Sequence, residues 1–114
     1  MVEELSHAIV DEAWFGFVAE EEGEVLGLAA VGQRAAMESY RSGEMTADLE
    51  VLVVAPETQR RGIGRALLTA AREEAGRRGF KVLTFGVMSG NAAAEEFYRA
   101  AGARHALSVY WLDV

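Results

Sequence analysis

The spacing of apolar positions changes near Pro56, and the two halves predict different elements. Before Pro56, short runs of aromatic and β-branched residues alternate with polar clusters. "WFGFVAE" and "EVLGLAAVGQ" flank "EEGE", the pattern of two strands joined by a glycine-containing turn. Gly16 and Gly27 inside these strands predict a bulge or a close backbone approach. "AAMESYRSGEMTA" is polar and mixed and reads as a connection. "DLEVLVVA" is a third strand, ended by the only proline. Upstream, Leu5, Ile9 and Ala13 recur at helical spacing in "EELSHAIVDEA", which predicts a short helix over residues 3–13.

After Pro56 the period lengthens. Ile63, Leu67, Ala70, Ala71 and Ala75 share one helical face, and Gly76 to Gly79 end the run. "FKVLTFGVM" is the next strand. Asn91 is a natural N-cap for a helix over "AAAEEFYRAA", which Gly102 closes. "ALSVYWLDV" reads as a terminal strand. The expected fold class is α+β, a mixed sheet, with an N-terminal β-hairpin followed by β-α-β-α-β. No repeat or linker breaks the 114 residues, so one domain over 1–114 is expected.

Composition narrows the chemistry. Half the residues are apolar, which fits a globular chain, and no apolar run nears the roughly 20 residues of a membrane helix. The acidic N-terminus lacks the layout of a signal peptide. The sequence has no cysteine, which removes disulfides, thiolate metal sites and a cysteine nucleophile, and fits a cytoplasmic location. Net charge is −7, unevenly spread: residues 1–57 hold 13 acids against 2 bases, and residues 58–114 hold 5 acids against 9 bases. That distribution argues against general nucleic-acid binding, which needs a broad basic face. His7 and His105 are isolated, so no metal site is expected. No serine pairs with a histidine and an acid as a hydrolase triad requires.

Against this acidic background, Gln59-Arg60-Arg61-Gly62-Ile63-Gly64-Arg65 places three arginines and two glycines at a strand–turn–helix junction. Main-chain N–H groups converge at such a junction, and the helix N-terminus adds partial positive charge. Gly62 and Gly64 let an anion approach the backbone closely. The arrangement predicts a phosphate or pyrophosphate site. It lacks the lysine of a Walker loop, and Leu67 stands where a dinucleotide fingerprint needs glycine or alanine.

These residues resemble the Gln/Arg-x-x-Gly-x-Gly/Ala motif of the GNAT acetyltransferase superfamily. The preceding strand shares the family's ending in Val54, Pro56 and Glu57. Asn91, Ala94, Phe97, Tyr98 and Gly102 resemble a second family signature, and the likeness spans about residues 14–112. The resemblance implies a splayed sheet with acetyl-CoA as cosubstrate in the notch. Amides from about Arg61 to Arg65 would hold the pyrophosphate. Val53 and Val54 would offer main-chain bonds to the pantetheine arm, and Asn91 would contact that arm or cap its helix. A backbone N–H near Val54 would stabilise the oxyanion. Tyr98 would protonate the departing thiolate. Asp48 or Glu50 would take the amine's proton, or bind a cationic acceptor.

The implied reaction is N-acetylation of a small-molecule or peptide amine by direct attack in a ternary complex. The alternative is a catalytically inactive acyl-CoA-binding or interaction module of the same fold. Relative to the family, the segment before "WFGF" and the tail after Gly102 are short, and a homodimer is expected to complete the acceptor side. Tyr40 and Arg41 are further candidates for an acceptor pocket, while Trp14, Tyr110 and Trp111 are expected in the core or an interface.

Overall fold

In the computed structural model, β1 (Val2–Leu5) pairs antiparallel with β2 (Phe15–Glu21). Strand β2 pairs antiparallel with β3 (Glu24–Arg34), and β3 with β4 (Thr46–Val54). Helix α1 (Ile63–Arg77) then carries the chain over to β5 (Val82–Thr84), which lies parallel to β4. The five strands stand in chain order, and α2 (Ala92–Ala100) follows β5. The structure describes residues 2–5, 14–34, 46–58, 62–106 and 108–114.

Alternation along β2 decides which face of the sheet is covered. Phe15, Phe17 and Ala19 are buried on one face, and the register sets them beside Val31, Ala29 and Gly27 of β3. Helix α1 lies on that face and buries Leu67, Leu68, Ala71 and Ala75. The helix approaches most closely at Gly27. A Cβ built there would stand 2.9 Å from Leu67 Cδ1, 2.9 Å from the Val53 carbonyl oxygen and 3.3 Å from Ile63 Cγ2. The register of β2 and β3 also shifts beside this glycine, between Ala19 and Glu20. Both readings of Gly27 therefore hold: a bulge lies next to it, and a helix lies on it.

Local chemistry sets the turns and ends. Glu22 (φ 51°) and Gly23 (φ 81°) both take the left-handed conformation that a two-residue hairpin turn needs to match strand twist. Pro56–Thr58 form one 3-10 turn, in which the Thr58 hydroxyl donates to the Ala55 carbonyl at 2.8 Å. Helix α1 ends with Gly79 at φ 92°. The Gly79 N–H reaches the Gly76 carbonyl and the Phe80 N–H reaches that of Ala75, both at 3.0 Å. Helix α2 ends in the same way at Gly102. Arg78 ties the end of α1 to β2. Its Nε donates to Glu74 Oε2 at 2.8 Å, and its guanidinium carbon lies 4.4 Å from the centroid of Phe15. Arg78, and then Arg77, hold the Glu74 carboxyl below its ordinary range.

The structure corrects four expectations. Residues 2–5 form a strand, not the start of a helix; residues 6–13 lie outside the described residues. Pairing with β2 overrides a helical spacing that rests on only three small or apolar positions. Strand β4 begins at Thr46, two residues before the predicted run, because buried Thr46 and Ala47 pair with Arg34 and Gln33. The strand read from "FKVLTFGVM" is only Val82–Thr84, since its partner strand diverges after Thr84. "ALSVYWLDV" forms no strand among the described residues, and Tyr110 and Trp111 are exposed there, not in the core. Trp14 instead stacks on Phe80 at 5.1 Å between ring centroids.

Candidate functional site: a fork between β4 and β5

Strands β4 and β5 share three register pairs, ending at Asp48 and Thr84. Beyond that pair β3 follows β4 on to Val54, while the chain after Thr84 turns away. The divergence opens a cleft of about 430 Å³ lined by Asp48, Leu49, Glu50, Gly86, Val87 and Met88.

Ladder alternation fixes which main-chain groups face this opening. The Ala55 N–H donates to the Leu26 carbonyl at 2.8 Å, so Leu26 and Ala55 are a hydrogen-bonded pair. In an antiparallel ladder such pairs alternate, which directs the main-chain groups of Val53 and Val51 to β3. The N–H and C=O groups of Val54 and Leu52 then point toward the open edge, so Leu52, not Val53 as the resemblance implied, shares that edge with Val54.

The mouth of α1 lies beside the end of that edge. Its N-cap, Gly62, sits at φ 81° and ψ 9°, where a Cβ is unfavourable, and no side chain caps it among the described residues. The first intrahelical bond runs from the Ala66 N–H to the Gly62 carbonyl at 3.0 Å. The N–H groups of Ile63, Gly64 and Arg65 precede it, and the helix has no acidic side chain in its first turn. A Cβ at Gly62 would meet nothing within 4 Å. One at Gly64 would stand 3.5 Å from both Val54 Cγ2 and Phe97 Cζ, which joins helix mouth, strand end and α2 in one place. Arg65 is exposed. Gln59, Arg60 and Arg61 lie outside the described residues, as do Tyr40, Arg41 and His7.

Helix α2 brings Tyr98 to the fork. Asn91 caps this helix, its Oδ1 accepting from the Ala94 N–H at 3.1 Å. Tyr98 stacks on Phe85, the residue just past the last β4–β5 pair, with ring centroids 3.9 Å apart and planes at 25°. Phe97 meets Tyr98 edge-on at 5.2 Å. Partial burial raises the Tyr98 phenol above its ordinary value of 10.0, so it is protonated at neutral pH.

Both candidate carboxylates line the cleft. The register jumps from Val31↔Leu49 to Ala30↔Val51, leaving Glu50 as the extra residue of a bulge. Leu49 points into the core, at 5% exposure. Asp48 is half-buried, and its Oδ1 accepts from the Thr84 hydroxyl at 2.9 Å. Glu50 is exposed and lies over Gly32 of β3, where a built Cβ would come within 2.9 Å of its Cδ. Thr84 has no role assigned from the sequence. The only signal was one hydroxyl in the apolar run "VLTF". Among the described residues no group of three or more His, Asp or Glu side chains could hold a metal ion. No helix there is long and apolar enough to cross a membrane.

A sheet forked between two parallel strands, with a glycine-led helix at the fork, matches known proteins. The sequence model of the Acetyltransferase (GNAT) family matches residues 2–103, and the chain belongs to that family. It is 46% identical over 70 residues to a mycothiol acetyltransferase of Geodermatophilus obscurus, covering 60% of this chain and 23% of that protein. It is 34% identical over 104 residues to a mycothiol acetyltransferase of Amycolatopsis mediterranei, covering 87% of this chain and 35% of the relative. The chain thus spans about a third or less of these two relatives. Among solved structures, the aminoglycoside N-acetyltransferase AAC(6')-Iy in complex with CoA superposes with a TM-score of 0.79 at 19% identity, covering 92% of this chain and 78% of that one. An aminoglycoside acetyltransferase from an uncultured soil metagenomic sample, in complex with sisomicin, superposes with a TM-score of 0.75 at 20% identity, covering 100% and 95%.

Proposed function

We propose that the chain is an N-acetyltransferase that binds acetyl-CoA in the β4–β5 fork and transfers its acetyl group to a primary amine by direct attack in a ternary complex. One observation carries this reading: the open edge of β4 ends beside a helix mouth that no side chain caps among the described residues. The pantetheine arm lies along that edge as an added strand, against the main-chain groups of Leu52 and Val54 and the exposed side chain of Val53. The pyrophosphate sits at the helix mouth on the N–H groups of Gly62, Ile63, Gly64 and Arg65, and the sequence motif assigns Gln59, Arg60 and Arg61 to the same anion. Asn91 holds the helix that flanks the arm.

In the reaction the amine lone pair forms a bond to the thioester carbonyl carbon, and the carbonyl oxygen gains charge. The Val54 N–H, directed into the fork, stabilises that oxyanion. The C–S bond then breaks, the protonated Tyr98 phenol gives its proton to the sulfur, and the second proton on the new amide nitrogen passes to the phenolate oxygen this leaves. Asp48 or Glu50 takes the proton lost by the acceptor ammonium, and the second carboxylate attracts a cationic acceptor. Mycothiol and aminoglycoside acetyltransferases among the similar proteins favour a small-molecule amine over a peptide.

We further propose a cytoplasmic homodimer. Val109, Tyr110, Trp111 and Leu112 are 86%, 89%, 95% and 91% exposed, an apolar run that a second copy would cover. Sedimentation at micromolar concentration should show a dimer; monomer alone would overturn that part. The transferase reading is tested by thermal-shift titration with acetyl-CoA, followed by free-thiol release with an amine panel. A rise in melting temperature together with amine-dependent thiol release is expected. Stabilisation by CoA with no turnover would leave a binding module, and no stabilisation would end the reading.

A further inference from the structure

Thr84 closes the fork at its narrow end. Its Oγ1 lies 2.9 Å from Asp48 Oδ1 and 3.3 Å from the Ala47 carbonyl oxygen. A hydroxyl has one proton to give and lone pairs to receive with, so it can bond only one of two acceptors as donor at a time. While Asp48 is ionised, the hydroxyl donates to the carboxylate. Once Asp48 carries a proton, Thr84 Oγ1 accepts from it and turns its own hydrogen to the Ala47 carbonyl. Neither exchange needs a heavy atom to move. Glu50 is placed differently: it occupies the extra position of the bulge, exposed, with its carboxylate over Gly32.

We propose that Thr84 is a positioning residue that supports Asp48 in both protonation states, and that Asp48, not Glu50, therefore takes the proton from the acceptor ammonium. The inference rests on the transferase reading above. In the step, an ammonium N–H bond breaks and its electron pair stays on nitrogen. An O–H bond forms on Asp48, and Thr84 ends with the same number of protons as it began. The freed lone pair is the one that attacks the thioester.

The test is a double-mutant cycle on the full chain with Thr84→Val, Thr84→Ser, Asp48→Asn and the Thr84→Val/Asp48→Asn pair. Thiol release is followed with an aminoglycoside, a polyamine and a lysine-containing peptide as acceptors. Thr84→Val should lower kcat about tenfold and leave KM for acetyl-CoA unchanged. Thr84→Ser should return kcat to within about twofold of the parent, and Thr84→Val should add less than about twofold in the Asp48→Asn background. If valine disturbs the strand, Thr84→Ala takes its place in the cycle. Equal losses in both backgrounds, or no rescue by serine, overturn the role of Thr84 while the transferase reading stands. A parent chain that releases no thiol with any of the acceptors overturns both.

Discussion

Tyr98 and Phe85 stack face to face at 3.9 Å, so the aromatic side chain just past the β4–β5 fork sets the position of the only tyrosine on α2. The contact uses the ring and leaves the hydroxyl to other work. Tyr98→Phe keeps the stacking surface and removes the proton donor. Turnover should fall by about 10²-fold or more, with acetyl-CoA affinity retained and a melting temperature close to the parent's. Steady-state kinetics beside a thermal shift decide it; unchanged turnover would remove Tyr98 from the mechanism.

Burial of the same phenol links it to alkaline stability. The folded chain holds the Tyr98 proton more tightly than the unfolded chain, whose phenol titrates near 10. This contribution is intact below pH 10 and is lost as pH rises through the raised folded value. Urea unfolding at pH 9 and pH 11 should show a smaller loss of stability for Tyr98→Phe than for the parent.

Gly62 holds a backbone conformation that a side chain resists, and open space surrounds it. Gly62→Ala should cost about 1 kcal/mol from backbone strain alone. It should also weaken the stabilisation by acetyl-CoA, because the amides at the helix mouth no longer converge. Gly64→Ala meets only ordinary contacts and should be milder on both counts. Paired melts with and without acetyl-CoA separate the two effects.

Gly27 fails for the opposite reason. Its conformation is ordinary, but there is no room for a methyl group between the Val53 carbonyl and Leu67. Gly27→Ala should destabilise by roughly 1–3 kcal/mol, read by chemical denaturation. Tolerance of alanine would mean that α1 can shift off the sheet at little cost.

Glu22 is the one described residue other than glycine at positive φ. Glu22→Asn or Glu22→Gly should stabilise the hairpin by up to about 1 kcal/mol, since both residues enter that region more readily. The same denaturation curves test this, and a loss of stability would show that Glu22 has a compensating contact.

The fork was legible where residue type dictates backbone. Gly62 and Gly64 before a basic helix predict a glycine-led helix start, and the structure has one at Gly62 with no side-chain cap among the described residues. Asn91 spelled out its own cap. The elements that escaped are those set by distant partners. Val2–Leu5 is a strand because β2 offers it an edge, and Val82–Thr84 is short because β4 departs from it. Thr84 gained meaning only when the fold set it against Asp48, 36 residues away in sequence. The strand bulge at Glu50 leaves no mark in residue type, and only the register locates it.

The order of the strands also bears on how the chain folds. Strands β1 to β4 are neighbours in sequence and in space, so each pairing can close from the one before it. Strand β5 must wait for α1 to bring it back across the sheet, and it is then held by only three register pairs. The amides of Val82 to Thr84 should be the last in the sheet to gain protection during refolding and the first to exchange with solvent deuterium. The forked end of the sheet would then loosen well before its antiparallel side does.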